Sequence, residues 1–332
     1  MGRKPKILVV GSFVMDQIAI TDVFPREGQT VLGSSFRKAP GGKGANQAVQ
    51  AARLGGDVTM VGKLGNDSNG EELLNVCQAS GLDLSHVLYD ENIASGCAVV
   101  VLHKMKDGST QNRIIVIPGS NMSITAEDIQ FLEQEIALYD VVILQQEIPM
   151  DVNVMVAKYA AKANVPVFLN PAPSAVIPDE LYQYLSFIAP NETELEDMTG
   201  VRIDHNDQMQ EQESVRRAVK ILRAKGVKDV LVTLGSAGAL LTTDEGEIYA
   251  PSATNVEAVD PTAAGDSFVG AFCIGVCCGW DWATILQFAN QTAAITVSRP
   301  GAMPSLPTFE MVAQCMSERG LPVPVIDVQC EK

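Results

Sequence analysis

The stretch Asp260-Pro261-Thr262-Ala263-Ala264-Gly265-Asp266 runs straight into the apolar segment Ser267-Phe268-Val269-Gly270-Ala271-Phe272. Small residues let backbone N–H groups converge with no side chains in the way. A helix that begins there adds its unpaired N–H groups and the positive end of its dipole. Such a turn suits an anion. A carboxylate at its end, Asp266, would repel that anion unless its task is to take a proton from a hydroxyl that attacks a phosphate. Plain capping competes with this reading, because the dipole favours Asp in any first helical turn.

Outward from that stretch, short β-branched runs alternate with longer amphipathic ones. Strands are expected at 7–10, 58–61, 141–144, 165–169, 187–189 and 230–234, and helices at 45–54, 70–80, 152–163, 214–224, 265–279 and 284–297. The alternation predicts an α/β fold with a mostly parallel central sheet, and the apolar strands predict burial on both faces. Residues 12–38 and 95–117 break the rhythm with short apolar–polar alternation. They predict antiparallel hairpins forming a small inserted sheet, suited to a lid or a dimerisation edge.

The chain has 332 residues, room for one large α/β domain or two smaller ones. A net charge of −16 argues against nucleic acid as a partner, since phosphate-backbone binding needs clustered Lys and Arg; a phosphorylated small ligand remains open. The seven cysteines form no C-x-x-C pair, and Cys273, Cys277 and Cys278 sit in apolar runs as reduced core residues. His86, His103 and His205 have no ligand spacing, which argues against zinc. The basic N-terminus precedes an apolar run too short for a signal peptide or membrane span, so the expected location is the cytoplasm.

A second segment, Pro40-Gly41-Gly42-Lys43-Gly44-Ala45-Asn46-Gln47-Ala48, leads into a helix. Its glycines allow close backbone approach to a ligand, and Asn46 offers a donor and an acceptor to a polyol. No Gly-Lys-Ser/Thr follows, which excludes a Walker P-loop, and the third glycine of a dinucleotide fingerprint is missing.

Together the two segments, with Gly55 beyond the first, resemble the two signatures of the ribokinase (PfkB-type) family of sugar kinases, in the family's order. Asn170-Pro171-Ala172-Pro173 adds to the likeness, which runs from about residue 7 to 307. The resemblance implies one ribokinase-like three-layer α/β/α domain over residues 1–332, with lid strands inserted from 12–38 and 95–117. It implies ATP-dependent phosphorylation of the 5-hydroxyl of D-ribose, with Asp266 as base and the N–H groups of Ala263, Ala264 and Gly265 as anion hole. Asp16, Gly42, Asn46 and Glu147 would contact the sugar, and Lys43 would point toward the transferring phosphate. On the nucleotide side stand Asn191, Glu194, Thr233, Gly235, Gly238 and Asn290, with Glu194 acting on Mg²⁺ through water. Asp260 and Thr262, with Arg299, Gly301 and Ser305, would hold K⁺, and the lid would mediate a homodimer.

Two positions depart from the family pattern. Pro261 replaces the commoner Thr, ahead of the anion-hole amides. Val14 stands where bacterial ribokinases often carry Asn facing the sugar, which leaves ribose against 2-deoxyribose open. The same chemistry on a ketose or nucleoside is the alternative within enzymes. A catalytically silent sugar-binding regulator is the alternative outside them, disfavoured by the presence of Asp266, Lys43 and Glu194 together.

Overall fold

The structure, a computed structural model, describes residues 3–104, 110–204, 208–253 and 256–328. The expected lid segment 95–117 and tail 321–332 therefore run partly outside the described residues, as does His205. A nine-stranded sheet forms the frame, in the order Gly246–Ala250, Ala239–Thr243, Asp229–Thr233, Phe187–Ile188, Val167–Leu169, Val141–Leu144, Lys6–Val10, Asp57–Gly65 and Val87–Asp90. All pairings are parallel except those that Ala239–Thr243 makes on its two sides.

Alternation along the central strand builds two cores. Ile7 and Val9 enter one apolar cluster with Phe168, Phe272 and helices Lys43–Arg53 and Ala264–Cys277, while Leu8 and Val10 enter another with helices Met150–Lys162 and Gln208–Ala224. Such strands read as continuous apolar runs because both faces are covered. Phe272 is fully buried, with ring centroids 5.5 Å from both Phe168 and Phe187 and 6.3 Å from Trp282. Those contacts fix helix Ala264–Cys277, and with it Asp266, against the sheet.

The six expected strands and six expected helices fall within about two residues of their bounds, apart from strand Asp57–Gly65, which ends later, and helix Gln208–Ala224, which begins earlier. Strand Val87–Asp90, the hairpin Ala239–Thr243/Gly246–Ala250 and helices such as Phe309–Glu318 were not expected. The lid differs from expectation in one respect. Its four strands, ordered Ser35–Gly41, Val14–Thr21, Cys97–Lys104 and Thr110–Ile117, form two antiparallel pairs, but Val14–Thr21 and Cys97–Lys104 join them in parallel. The sheet is mixed rather than a set of hairpins, because the two segments enter it from the same side of the frame. Its first pair also runs to Gly41, three residues past the expected bound.

Candidate active site

The carboxyl ends of the parallel strands converge, as they do at ligand crevices of open α/β sheets. Ser12, Gln145, Glu147, Asn170 and Asn191 all follow strand ends there. Helix Lys43–Arg53 lies across them, and the chain packs so closely that glycine is required. A Cβ on Gly42 would sit 2.6 Å from the Val14 nitrogen, and one on Gly44 would sit 2.4 Å from the Ser12 nitrogen. Gly42 also has φ of 95°. Chain packing therefore requires these glycines independently of the close ligand approach expected of them.

Asp266, only 6% exposed, occupies the first turn of helix Ala264–Cys277. Its two oxygens accept from Asn46 Nδ2 at 2.8 Å and Gln47 Nε2 at 2.9 Å. Residues 220 positions apart thus meet in one buried group. Asn46 Oδ1 is buried with no protein partner, an acceptor suited to a ligand hydroxyl. Ahead of Asp266, Ala263 holds the left-handed conformation (φ 62°) as N-cap, and the first helical bond runs from Ser267 N to Ala263 O. Nothing stands within 4 Å of a Cβ built on Gly265. Of the three expected anion-hole groups, the Ala264 N–H donates to Pro261 O at 3.2 Å.

On the lid side, Glu147 accepts from Ser12 Oγ at 2.5 Å and from the Lys43 N–H at 2.9 Å. Asp16 is half-buried, and one of its oxygens lies 3.6 Å from the Cβ position of Gly41. Burial, with the charges of Glu147 and Asp260, pushes the Asp16 carboxyl up to about 6 against the opposing pull of Arg37. Burial works to lower Lys43, but Asp266, Glu147 and Glu194 outweigh it and hold the ammonium above its usual range. Val14, 5% exposed, packs with Ile18, Ala39, Ala98 and Val100 in the lid's own apolar cluster.

Two flanking groups complete the crevice. Asp260 accepts from the N–H and hydroxyl of Thr262 (3.0 and 2.6 Å) and from the Gly301 N–H at 2.9 Å. Burial alone would raise its carboxyl; these donors, with Arg37, hold it below the usual carboxylate range. In the loop beyond, the Ser305 hydroxyl donates to Ala302 O at 2.7 Å and Arg299 directs Nη1 to the Met311 sulfur. Arg53 Nη1 clamps the same loop through the carbonyls of Met303 and Leu306 at 2.8 and 2.7 Å.

On the other flank, Asn191 and Glu194 form a reciprocal capping box (2.8 and 2.9 Å) at the start of helix Glu192–Thr199. Burial raises Glu194, partly offset by the Asn191 N–H and Lys43. Asn191 bridges to Thr233, joining two of the expected nucleotide positions. Gly235 opens the exposed turn after Thr233, whereas Gly238 is packed under it, its Cβ position 2.1 Å from Ala250 O. Asn290 donates to Ala250 O and Pro251 O and lines a cavity of about 390 Å³ with Ser252 and Gln287.

A model of the pfkB family carbohydrate kinases matches residues 4–309. The chain belongs to the pfkB family of carbohydrate kinases. It is 36% identical over 312 residues to the ribokinase of Bacillus subtilis, covering 94% of this chain and 99% of that one. It is 32% identical to a deoxyribokinase of Salmonella typhi, covering 94% and 98%. Among solved structures, Arabidopsis thaliana ribokinase complexed with ribose and ATP superposes with a TM-score of 0.85 at 34% identity, covering 94% of this chain and 98% of that one. A pfkB chain of this kind is a sugar kinase that uses ATP. Its three-layer α/β/α frame and small lid sheet match those relatives.

Sequence reasoning missed several members of this pfkB site. Gln47, Gln145 and Asn170 join Asp266 in one buried amide network, and Ser12 ties Glu147 to Gly44. A signal did exist in Leu144-Gln145-Gln146, where polar residues end an apolar strand; its partners lie about a hundred residues away. Among the described residues, no helix is long and apolar enough to cross a membrane.

Proposed function

We propose that this kinase transfers the γ-phosphoryl group of ATP to the 5-hydroxyl of ribose. The observation that carries the reading is the Asp266 carboxylate, gripped on both oxygens beside the open first turn of its helix, with the unpartnered Asn46 Oδ1 next to it. Each Asp266 oxygen retains a lone pair beyond the one engaged, so the group can still take a proton. The hydroxyl loses its proton to Asp266 as its oxygen attacks the γ-phosphorus. The bond to the bridging oxygen breaks, and ADP leaves. The N–H groups of Gly265 and Ala263, joined by that of Ala264 when its bond to Pro261 is exchanged, stabilise charge on the transferring group. Asp16 and Glu147 accept from the sugar hydroxyls, and Lys43 neutralises the phosphates. Asn191, Thr233 and Gly235 border the nucleotide, and Asn290 shapes the wall near its base. The lid excludes water and suppresses ATP hydrolysis.

The residues also fit two ions. Asp260, held ionised, with carbonyl oxygens from Thr262, Arg299 and Gly301 and the Ser305 hydroxyl oxygen, makes an oxygen-donor set suited to K⁺, and Glu194 would reach Mg²⁺ through a water. These ions would supply positive charge that orders the anion-binding turn and offsets the phosphates. The exposed apolar residues 114–117 on the lid's edge strand fit a second copy of this chain, and six unpaired cysteines among the described residues suit the cytoplasm.

The test is ADP release with ribose, 2-deoxyribose, fructose, adenosine and no sugar. Ribose should give the highest kcat/KM, with 2-deoxyribose behind it by up to about 10²-fold, since apolar Val14 weakens discrimination. Preference for another member of the panel overturns the substrate, and the absence of any sugar-dependent ADP release favours the silent binder. Replacing K⁺ with Na⁺ at fixed ionic strength tests the monovalent ion; equal rates refute it.

A further inference from the structure

We propose that Gln47 is a positioning residue for the phosphoryl transfer: it orients the Asp266 carboxylate, and its own amide is held in the required sense by Asn170 and braced by Gln145. The proposal rests on the reading of Asp266 as the base. Gln47 is fully buried one residue after Asn46 on helix Lys43–Arg53. Both hydrogens of its amide are used, one on Asp266 Oδ1 at 2.9 Å and one on Asn170 Oδ1 at 3.0 Å. Its oxygen accepts from Gln145 Nε2 at 2.7 Å. Asn170 is held in turn, donating to Ala189 O at 3.2 Å.

The sense of this chain is forced. Turning the Gln47 amide over would set its oxygen against a carboxylate and a carbonyl oxygen, and its NH₂ against that of Gln145. At Asp266, which can only accept, and at Asn170, whose own amide is tied to Ala189 O, two repulsive contacts would replace two hydrogen bonds. A donor therefore always faces Asp266 Oδ1. Room for Gln145 comes from Gly11, where a Cβ would lie 2.0 Å from Gln145 Oε1. Asn46 holds the other Asp266 oxygen but has a ligand-facing task as well, through its unpartnered Oδ1. Gln47 has every polar atom engaged by protein groups, and of its three partners Asp266 is the one proposed to carry the chemistry. A carboxylate pinned this way keeps its remaining lone pairs aimed at one point, and small misplacements of a reacting group are costly.

The experiment compares Gln47→Glu and Gln145→Met with the wild type, measuring kcat and KM for ribose from pH 5.5 to 9 together with Tm. Gln47→Glu preserves volume but sets a second carboxyl group against Asp266. Two carboxyls sharing one site retain a proton to higher pH than one does. The acid limb of its kcat profile should move up by about one pH unit, kcat at neutral pH should fall about 10–100-fold, and KM for ribose should change less than about threefold. Gln145→Met, which leaves Asp266 and its donors intact but removes the donor to the Gln47 oxygen, should lower kcat by a smaller factor. A Gln47→Glu enzyme with wild-type kcat and an unmoved acid limb, even with a lowered Tm, would overturn the proposal. If both variants keep kcat and lose only Tm, Gln47 is a structural pin and the proposal is equally overturned. A wild-type protein without ribose-dependent ADP release would instead bring down the kinase reading and this one together.

Discussion

Every residue of strand Val141–Leu144 in the main sheet is buried, whereas strand Thr110–Ile117 of the lid leaves residues 114 to 117, all apolar, in solvent. The carboxylates that the two sheets carry differ in the same way. Asp266 belongs to the frame and has a side-chain amide donor on each oxygen, itself anchored in the core. Asp16 belongs to the lid and shares its surroundings with Glu147 and Asp260, charges of its own sign. A base must meet one hydroxyl at one angle, which a close-packed frame can guarantee. The sugar-acceptor role proposed for Asp16 would require it to tolerate an empty crevice as well as a filled one, its unfavourable charge environment being relieved when hydroxyl donors arrive.

The sharpest way to break this contrast is at the base. Asp266→Ala should lower kcat about 10²–10⁴-fold, the usual contribution of a positioned base, with KM for ribose changed far less. Near-wild-type turnover at saturating ribose and ATP would remove the frame's claim to the chemistry. The next largest effect concerns packing. Phe272→Ala should cost about 3–5 kcal/mol in urea unfolding, as for other buried aromatic truncations, whereas Ile115→Ala on the lid edge should stay within about 0.5 kcal/mol. Similar losses for both would mean that the lid is as firmly built as the frame. Ile115→Glu sharpens the comparison from the other side. If the exposed edge is covered by a second copy, this change should shift the sedimentation profile to the monomer and raise KM for ribose more than it lowers kcat. An unaltered profile would show that the edge strand needs no partner.

What the sequence made legible follows the same division. The frame's strands announce themselves because burial on two faces demands unbroken apolar runs, as in Val141-Val142-Ile143-Leu144. The meeting of Asn46 with Asp266 was accessible through the two glycine- and alanine-rich signatures. Periodicity alone does not reveal a contact across 220 positions. The hairpin Ala239–Thr243/Gly246–Ala250 escaped a reading tuned to strand–helix alternation, although Asp244-Glu245-Gly246 is a turn signal. The parallel join at the lid's centre escaped for a deeper reason. Pairing Met15 with Cys97 depends on where the frame delivers both segments, and neither segment encodes it locally. The amide network was hidden likewise, since a buried Gln advertises that it needs partners without naming them.

The smallest expected effect tests the lid carboxylate itself. Burial, Glu147 and Asp260 lift Asp16 from an ordinary 3.8 to about 6. The folded chain therefore holds this proton more tightly than the unfolded chain does. The stabilisation from protonated Asp16 is complete below 3.8 and lost as pH rises through about 6, above which the folded state carries an unfavourable charge. Asp16→Asn keeps the shape and removes that charge. The variant should melt about 1–3 °C above the wild type at pH 8, with the advantage vanishing below pH 4, while KM for ribose rises because an ionised acceptor is gone. In the wild type, KM for ribose should rise as pH falls below about 6, since Asp16 then turns from acceptor to donor. A variant that melts at or below the wild type at pH 8 would show that Asp16 is as well satisfied in the empty crevice as Asp266, and the contrast between the two sheets would fail at its most direct point.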